Sequence, residues 1–180
     1  QGDLLKLPVA ESVFDLAFSI GVMHHSPDPR GAFVQVARRV KPGGLLAVWL
    51  YRRNTPPQEW LNSGVRAVTT RLPVRVLEPA CAALGVLGGV PVLNKTLNKV
   101  LNFSGHSDWT LRVCDNYDWY APRYQSHHRV DELLGWFEAE GYTDLTVLPP
   151  GRTGGVYRWA YQRNLTIGSG VNVQGRRKRS

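Results

Sequence analysis

Two adjacent histidines, His24 and His25, are the residues of this sequence best suited by type and position to take part in chemistry. They follow a short apolar run that ends at Gly21, and the turn-forming Pro27 comes two residues after them. A histidine whose pKa lies near neutrality can take the proton of a hydroxyl group during a reaction. The alternative is a structural turn that hydrogen-bonds to its own backbone, and the sequence leaves both interpretations open.

A second stretch, residues 118–128, is dense in aromatic rings and imidazoles. The side chains concerned are those of Trp119, Tyr120, Tyr124, His127 and His128. They could line a pocket for a substrate, and they could equally anchor a lid to the rest of the fold. Together with these histidines, the nearby carboxylates Asp115 and Asp118 could serve as metal ligands. Nothing in their spacing fixes a coordination geometry, so we expect no metal site.

The first fifty residues predict a scaffold for the two histidines. Residues 13–20 are a short, largely apolar run, typical of a strand buried on both faces, and residues 45–51 form a second such run. Between these two strands, Asp28 and Pro29 suit the N-cap and the first turn of a helix. The apolar stripe of that helix is Phe33, Val36, Ala37 and Val40, and its expected stop is Lys41, Pro42, Gly43 and Gly44. A strand, a helix and a strand with short connections form the right-handed crossover of a parallel sheet.

The remaining sequence predicts a helical insertion and a return to the sheet. From residue 54 to about residue 107, apolar residues recur at helical spacing and prolines interrupt them, which indicates two or three helices packed as a cap or lid. Residues 130–140 predict another amphipathic helix, and residues 145–148 and 171–175 predict two strands that pair as a terminal hairpin. Residues 157–167 could extend both arms of that hairpin. The expected domains are a core of residues 1–53, the insertion of 54–115, a return to the core over 116–176, and a basic tail of 177–180.

The composition is that of an ordinary globular protein, and it argues against a membrane-spanning protein and against a secreted protein built on disulfides. Of the 180 residues, 43% are hydrophobic and 20% are charged. No stretch reaches the ~20 apolar residues of a membrane span, and the first residues lack the pattern of a secretory signal. Cys81 and Cys114 are too few and too far apart for a disulfide framework or a zinc site. We therefore expect a cytoplasmic protein with reduced cysteines and, since the sequence starts at Gln1 instead of Met, a processed form or a fragment.

The formal net charge is +8, and part of it is concentrated in four consecutive residues, Arg176, Arg177, Lys178 and Arg179. Such a tail can bind the phosphate backbone of a nucleic acid or an anionic membrane. A solvated, frayed terminus is the commoner outcome. Nucleic acid is therefore a partner that the sequence permits but does not favour.

Several short motifs, taken in order, resemble those of the class I S-adenosylmethionine-dependent methyltransferases of the type 11 group. The motifs are Gly2-Asp3-Leu4 with Leu7-Pro8 and Phe14-Asp15, then Gly21-Val22-Met23-His24-His25 with Pro27-Asp28-Pro29, then Val40-Lys41-Pro42-Gly43-Gly44. Residues 118–128, followed by Trp136-Phe137 and Gly141-Tyr142, are similar to a bacterial subgroup with a helical insertion. The resemblance implies an α/β fold: the C-terminal part of a Rossmann-like doubly wound sheet, with parallel strands, a terminal antiparallel hairpin and a helical insertion.

The resemblance also implies S-adenosyl-L-methionine (SAM) as the cofactor and indicates which residues would bind it. Asp3 would accept a hydrogen bond from the adenine amino group, and the backbone N–H of Leu4 would meet the adenine ring. Ile20, Gly21 and Val22 lie at the carboxyl end of the first predicted strand. Open parallel sheets bind their ligands at that edge, so these residues would contact the cofactor.

Direct methyl transfer needs positioning of the reacting groups more than acid–base catalysis, which suits a sequence without an obvious catalytic constellation. His24 and His25 would shape the methionine end of the cofactor pocket, contact the acceptor or serve as a general base. The sequence does not identify the methyl acceptor, although the apolar faces of the insertion favour a small or lipid-like molecule.

One part that the resemblance requires, a glycine-rich loop for the methionine part of SAM, is not found in the sequence. The glycines of residues 85–89 follow a helical pattern instead of a strand, so we interpret them as a helix terminus. Without the preceding half of the sheet, the strand at residues 13–20 would expose an unpaired edge, which invites pairing with that half or with another chain. The alternative function is a catalytically inactive, basic half-domain that binds nucleic acid or a partner protein.

Overall fold

The structure, a computed structural model, describes residues 2–97, 101–148, 155–163 and 170–179. It has two compact units. The sheet unit comprises Gln1–Asn54 and Tyr124–Ser180, and the helical unit comprises Thr55–Arg123. The predicted boundary between residues 115 and 116 falls inside one helix, Trp109–Tyr120, so the end of that helix lies with the insertion.

Within the described residues, a four-stranded mixed sheet forms the frame of the sheet unit. Its strands are β1 (Phe14–Ile20), β2 (Val40–Tyr51), β3 (Tyr142–Val147) and β4 (Gly170–Arg177), in the order β1-β2-β4-β3. β1 and β2 run parallel, with helix α1 (Pro29–Ala37) as their crossover, whereas β4 runs antiparallel to both β2 and β3. The predicted α/β fold, with a parallel pair of strands and a terminal antiparallel pair, is confirmed.

Local signals in the sequence explain where α1 begins. The side chain of Asp28 accepts a hydrogen bond from the backbone N–H of Gly31 at 2.8 Å, as an N-cap does, and Pro29 occupies the first turn. The predicted end of this helix is wrong, because α1 ends at Ala37 and Val40 is already the first residue of β2.

The predicted stop signal, residues 41–44, lies within β2 instead. Phe14 on β1 pairs with Val40 and Leu16 pairs with Leu45, so β2 has extra residues at this point and bulges. A proline followed by glycines marks this bulge near the start of a strand, and the same residues would equally suit the end of a helix. Sequence reasoning chose the wrong one of these two arrangements.

One face of the sheet is buried under α1 and helix α6 (Val130–Ala139), which confirms the helix predicted at residues 130–140. In the core between them, the ring centroids of Phe33 and Phe137 lie 4.9 Å apart. Tyr142 closes this core, since its hydroxyl donates to the carbonyl oxygen of Ala37 at 2.7 Å and burial raises its pKa to about 12. Alternate residues of β2 and β4 complete it, as the two-residue period of a strand requires. These are Leu46, Val48, Leu50, Val171 and Val173.

The prediction that the first strand is buried on both faces is wrong. Phe14, Leu16, Phe18 and Ile20 alternate along one face of β1 and are 45%, 55%, 67% and 66% exposed. Among the described residues, β2 is the one strand that pairs with β1, so the other edge of β1 is open. An apolar strand with an open face and an open edge is a surface that favours pairing with another strand.

The last two strands pair antiparallel as predicted, but their connection is not a simple hairpin. β3 starts three residues before the predicted strand, at Tyr142, and β4 extends to Arg177, a residue of the predicted basic tail. Helix α7 (Gly155–Gln162) lies between the two strands in sequence, where the hairpin arms could have extended. Residues 164–167 of that extension lie outside the described residues.

The helical unit contains four described helices, of which three lie within residues 54–107, where two or three were predicted. They are α2 (Pro56–Thr69), α3 (Val74–Gly88), α4 (Pro91–Leu97) and α5 (Trp109–Tyr120). Leu77 and Cys81 of α3 form a small core with Tyr120 of α5. α3 ends at its C-cap, Gly89, so residues 85–89 are a helix terminus, as the sequence indicates. No helix within the described ranges is long and apolar enough to cross a membrane.

Candidate active site

The histidine pair lies at the carboxyl end of β1, just after Gly21. Gly21 has a φ of 71°, and its N–H donates to the carbonyl oxygen of Trp49 on β2 at 3.2 Å. This left-handed conformation lets the chain leave the strand and enter a short 3₁₀ helix, Met23–His25. Ile20 and Val22 on either side of the glycine are exposed. The three residues therefore stand at the edge of the sheet where parallel strands bind ligands.

His24 is fully buried, and its hydrogen bonds determine its tautomer. The backbone N–H of Tyr51, at the end of β2, donates to Nδ1 of His24 at 3.3 Å, and the Tyr51 ring stacks on the imidazole with centroids 3.9 Å apart. A ring nitrogen that accepts a hydrogen bond carries no proton, so the proton of neutral His24 is on Nε2. In this state His24 is a donor at Nε2 and is not suited to act as a general base.

His25 has the opposite tautomer. Its Nδ1 lies 3.1 Å from the carbonyl oxygen of Tyr124, and because a carbonyl can only accept, Nδ1 carries the proton. The lone pair of neutral His25 is then on Nε2, which is the state that a general base requires. The imidazole is half-buried, with its centroid 4.3 Å from that of His24. Of the two histidines, His25 is thus the better candidate for accepting a proton.

The segment 124–128 holds the histidine turn and the end of β2 together. The N–H of Ser126 donates to the carbonyl oxygen of His24 at 2.9 Å, and the N–H of His128 donates to the carbonyl oxygen of Tyr51 at 2.8 Å. Folding therefore brings residues that are distant in sequence to the carboxyl ends of β1 and β2. This is the half of the predicted aromatic stretch that the structure places at the candidate site.

A chain of side-chain hydrogen bonds extends from this segment to α6. Nε2 of His128 lies 2.8 Å from Oγ of Ser126, and its Nδ1 lies 3.0 Å from a carboxylate oxygen of Glu132. Burial lowers the pKa of His128, and the hydrogen bond and charge of Glu132 oppose that shift in part. Neutral His128 donates from Nδ1 to Glu132 and accepts from the Ser126 hydroxyl at Nε2, because a carboxylate can only accept.

The other aromatic residues of the stretch are divided between the two units. Tyr124 and His127 belong to the sheet unit, where the ring centroids of His127 and Tyr51 lie 6.1 Å apart. Trp119 and Tyr120 belong to the helical unit, where Tyr120 is 3% exposed and its hydroxyl is hydrogen-bonded within that unit. Tyr120 thus supports the core of the helical unit. A role of these residues in binding the acceptor stays a prediction.

Asp3 and Leu4, for which the sequence predicts adenine contacts, lie in a turn before β1. One carboxylate oxygen of Asp3 accepts from the N–H of Leu5 at 2.9 Å, and Leu4 packs against the main core. Arg39, just after α1, donates to the carbonyl oxygen of Leu7 at 3.3 Å and so ties this segment to the end of α1. Asp3 itself is exposed. Binding of adenine by Asp3 and Leu4 stays a prediction.

Sequence reasoning missed three residues of the site: Tyr51, Ser126 and Glu132. Tyr51 ends the second parallel strand, and that position alone places it beside the end of the first strand. Glu132 is an acid in the first turn of a predicted helix, which is a recognisable capping signal. Nothing in the sequence marks Ser126, because its partners His24 and His128 meet it after the chain has folded.

Comparison with known proteins finds a family model that matches the first part of the chain. Residues 1–48 match the family model whose description is methyltransferase domain. The matched segment contains β1, the Gly21 turn, both histidines and α1. The chain is therefore similar to a methyltransferase domain over these 48 of its 180 residues. SAM is the cofactor that this similarity implies.

Curated relatives share short segments with the chain. The sterol 24-C-methyltransferase ERG6B of Gibberella zeae is 31% identical over 65 residues, which make up 36% of this chain and 15% of that protein. The cycloartenol-C-24-methyltransferase 1 of Oryza sativa is 35% identical over 49 residues, or 27% of this chain and 14% of that protein. The chain thus spans less than a fifth of the length of these relatives.

Solved structures align with almost the whole chain at low identity. A SAM-dependent methyltransferase from Thermotoga maritima, named as a possible histamine N-methyltransferase, is 16% identical with a TM-score of 0.49, and the alignment covers 98% of this chain and 62% of that one. The YcgJ protein from Bacillus subtilis is 15% identical with a TM-score of 0.46, at 100% and 70% coverage. Both scores are below 0.5, so the similarity to methyltransferases rests on the matched sequence segment.

Proposed function

We propose that the protein transfers a methyl group from SAM to an acceptor bound beside the His24–His25 turn. The observation that carries this proposal is the left-handed Gly21 turn at the carboxyl end of β1, in a segment that matches a methyltransferase domain. Exposed apolar side chains and a histidine with a proton-accepting nitrogen flank this turn. Open α/β sheets bind their ligands at such an edge.

The residues at this edge fit part of SAM. Ile20 and Val22 offer exposed apolar surface, which suits the flat adenine ring and the aliphatic part of the methionine. Gly21 has no Cβ, so its backbone can approach a ligand closely. Asp3 and Leu4 would hold the adenine amino group and ring, as the family resemblance implies. When bound, SAM supplies an electrophilic methyl group on its sulfonium.

The proposal gives the chain's own residues distinct roles. In the proposal, Nε2 of His25 accepts the proton that a hydroxyl acceptor loses as its oxygen takes up the methyl group, which requires the histidine turn to open because Nε2 is buried in this structure. His24 is a positioning residue, because it is buried and its hydrogen bonds with Tyr51 and Ser126 fix the turn. An acceptor atom that carries no acidic proton would need the positioning alone.

We propose a small or lipid-like acceptor. Two relatives are named for methylation of sterols and of cycloartenol, and both names denote largely apolar molecules. In the sheet unit, a groove of about 310 Å³ opens next to the carboxyl end of β1. Its lining is mainly apolar and consists of Ile20, Ala47, Val48, Trp49, Leu148 and Asn172. A groove of this size and polarity suits a small apolar ligand.

The open edge of β1 belongs to the same proposal. A strand from another part of the same protein, or from another chain, would pair with this edge and shield the apolar side chains of Leu16 and Phe18. Pairing there would also rigidify the strand that ends in the Gly21 turn.

Calorimetric titration of SAM tests the proposed function. We expect binding by the chain itself or by a longer product of the same gene, and a loss of affinity of about tenfold in Gly21→Ala. The reason is that a Cβ at a positive φ costs roughly 1–2 kcal/mol and displaces the turn. Gly135→Ala is the matched control, because Gly135 lies in α6 and a Cβ there meets no atom within 4 Å. Binding by neither form, or equal affinities of wild type and Gly21→Ala, would contradict the proposal.

A further inference from the structure

The amino end of the sheet, opposite the candidate active site, carries a concentration of positive charge. We call this surface the basic edge. Its residues follow α1, begin β2 and end β4, and they are Arg38, Arg39, Lys41, Arg176, Arg177, Lys178 and Arg179. The sequence shows four of these cations as a terminal run, whereas the structure joins all seven at one end of one sheet.

The acids of this surface neutralise part of the charge. Arg38 pairs with Glu140 at 3.2 Å, Arg39 with Glu11 at 3.7 Å, and Lys41 with Asp15 at 2.9 Å. The four cations at the end of β4 form no ion pair with any residue that the structure describes. Their charge is therefore available to an external anion.

Backbone contacts hold several of these cations in place. A guanidinium nitrogen of Arg176 donates to the carbonyl oxygen of Gly43 at 2.9 Å, and the side chain of Arg179 lies against the same glycine. Arg177 donates to the carbonyl oxygen of Arg38 at 3.1 Å. A carbonyl group is neutral, so these hydrogen bonds do not cancel the charge of the arginine. They also use one or two of the five guanidinium N–H donors, so the remaining donors can bind a ligand. Side chains that are already ordered lose less entropy when they bind.

The arrangement of the cations indicates which kind of anion they fit. Arg176 and Arg177 are consecutive residues of β4, so their side chains leave opposite faces of the strand. Positive charge thus surrounds the end of the sheet instead of lying in one plane. A flat bilayer would meet one side of such a surface, whereas the phosphates on the two sides of a nucleic-acid groove can contact both. Arginine, which recognises phosphate with its planar fork, supplies five of the seven cations.

We propose that the basic edge binds the phosphate backbone of a nucleic acid. The contacts are electrostatic and carry no sequence preference, because they reach phosphates and not base edges. The surface lies at the opposite end of β1 and β2 from His25, so nucleic acid and SAM would bind independently. The inference does not depend on the proposed methyl transfer, and either can fail without the other.

The test is binding of a fluorescein-labelled DNA duplex of mixed sequence, followed by fluorescence anisotropy over a range of salt concentrations. In the triple variant Arg176→Gln, Lys178→Gln and Arg179→Gln, we expect affinity at about 100 mM salt to fall at least tenfold. The slope of log affinity against log salt should become shallower by about two to three, since each lost phosphate contact removes about 0.9.

Two further variants separate the basic edge from net charge and from misfolding. The matched control, Arg30→Gln, Arg75→Gln and Lys95→Gln, removes three exposed cations elsewhere and should bind the duplex nearly as wild type does. Arg176→Lys with Arg179→Lys keeps the charge and should retain most of the affinity. Equal losses in the two triple variants would overturn the proposal, as would absence of duplex binding or tighter binding to phosphatidylserine vesicles than to the duplex.

Discussion

At the end of β1, two neighbouring imidazoles acquire different chemistry from their main-chain partners. The N–H of Tyr51 makes Nδ1 of His24 an acceptor, and the carbonyl of Tyr124 makes Nδ1 of His25 a donor. The two rings therefore carry their proton on different nitrogens, Nε2 in neutral His24 and Nδ1 in neutral His25. A third imidazole, His128, connects the segment that holds them to Glu132 of α6.

Burial of His128 makes the stability of the protein depend on pH. The pKa of His128 is lowered from its ordinary value of 6.5 in the folded state, so the unfolded chain binds its proton more readily. The contribution of this residue is fully present above pH 6.5 and is lost as the pH falls toward the folded-state pKa. We expect the free energy of unfolding to decrease between pH 7 and pH 5, and part of this decrease to disappear in His128→Gln.

Chemical denaturation at a series of pH values measures this effect. An unchanged pH dependence in His128→Gln would show that burial of this imidazole contributes nothing to the acid sensitivity.

The sequence could indicate the residue types of the site but not these protonation states. The motif around Gly21 and the two histidines is local, so it can be recognised along the chain. The tautomers depend on main-chain groups of Tyr51 and Tyr124, which folding brings from other elements. The same limit explains why Ser126 gave no signal.

Among the described elements, β1 is a strand whose apolar face and one edge are both left uncovered. Its apolar face is exposed from Phe14 to Ile20, and β2 is its one partner among the described strands. Such an edge can pair with a second copy of the chain, which natural sheets prevent with charged residues, lysine above all. The element that supports the candidate active site therefore also presents a surface that is prone to association.

Phe18→Lys tests this property of β1. Phe18 is 67% exposed, so a lysine there should be tolerated while it opposes strand pairing. We expect the wild-type chain to associate as its concentration rises, and the variant to associate at least severalfold more weakly in sedimentation velocity experiments. Trp60→Lys removes a side chain of α2 that is 74% exposed and should leave association unchanged. A monomeric wild type, or an equal effect of both variants, would contradict this role of β1.

At the level of elements, sequence reasoning succeeded where a signal was unambiguous. Asp28 and Pro29 begin α1 as predicted, and the apolar pattern of residues 130–140 forms α6. It failed at residues 41–44, because the same proline and glycines suit a helix end and a strand bulge. The exposure of β1 could not be predicted either. An apolar run shows that a strand could be buried, but it does not show whether another element packs against it.

At the scale of the whole molecule, the two ends of the sheet unit differ in chemistry. The carboxyl ends of β1 and β2 carry histidines, aromatic rings and an apolar groove, within or beside a segment that matches a methyltransferase domain. The amino ends carry the basic edge, where four cations at the end of β4 have no acidic partner among the described residues. One sheet can therefore present a cofactor and acceptor site at one end and a nucleic-acid surface at the other.

The central claim is that SAM binds at the carboxyl end of β1, and NMR spectroscopy tests it most directly. A ¹⁵N-labelled chain of 20.1 kDa gives residue-resolved amide signals, and these report weak as well as tight binding. On titration with SAM, the account predicts shifts of the amide signals of Ile20, Gly21 and Val22 and of the ring signals of His25, while signals of the helical unit change little. Shifts confined to the helical unit, or no shifts at about 1 mM SAM with either this chain or a longer product of the same gene, would contradict the claim.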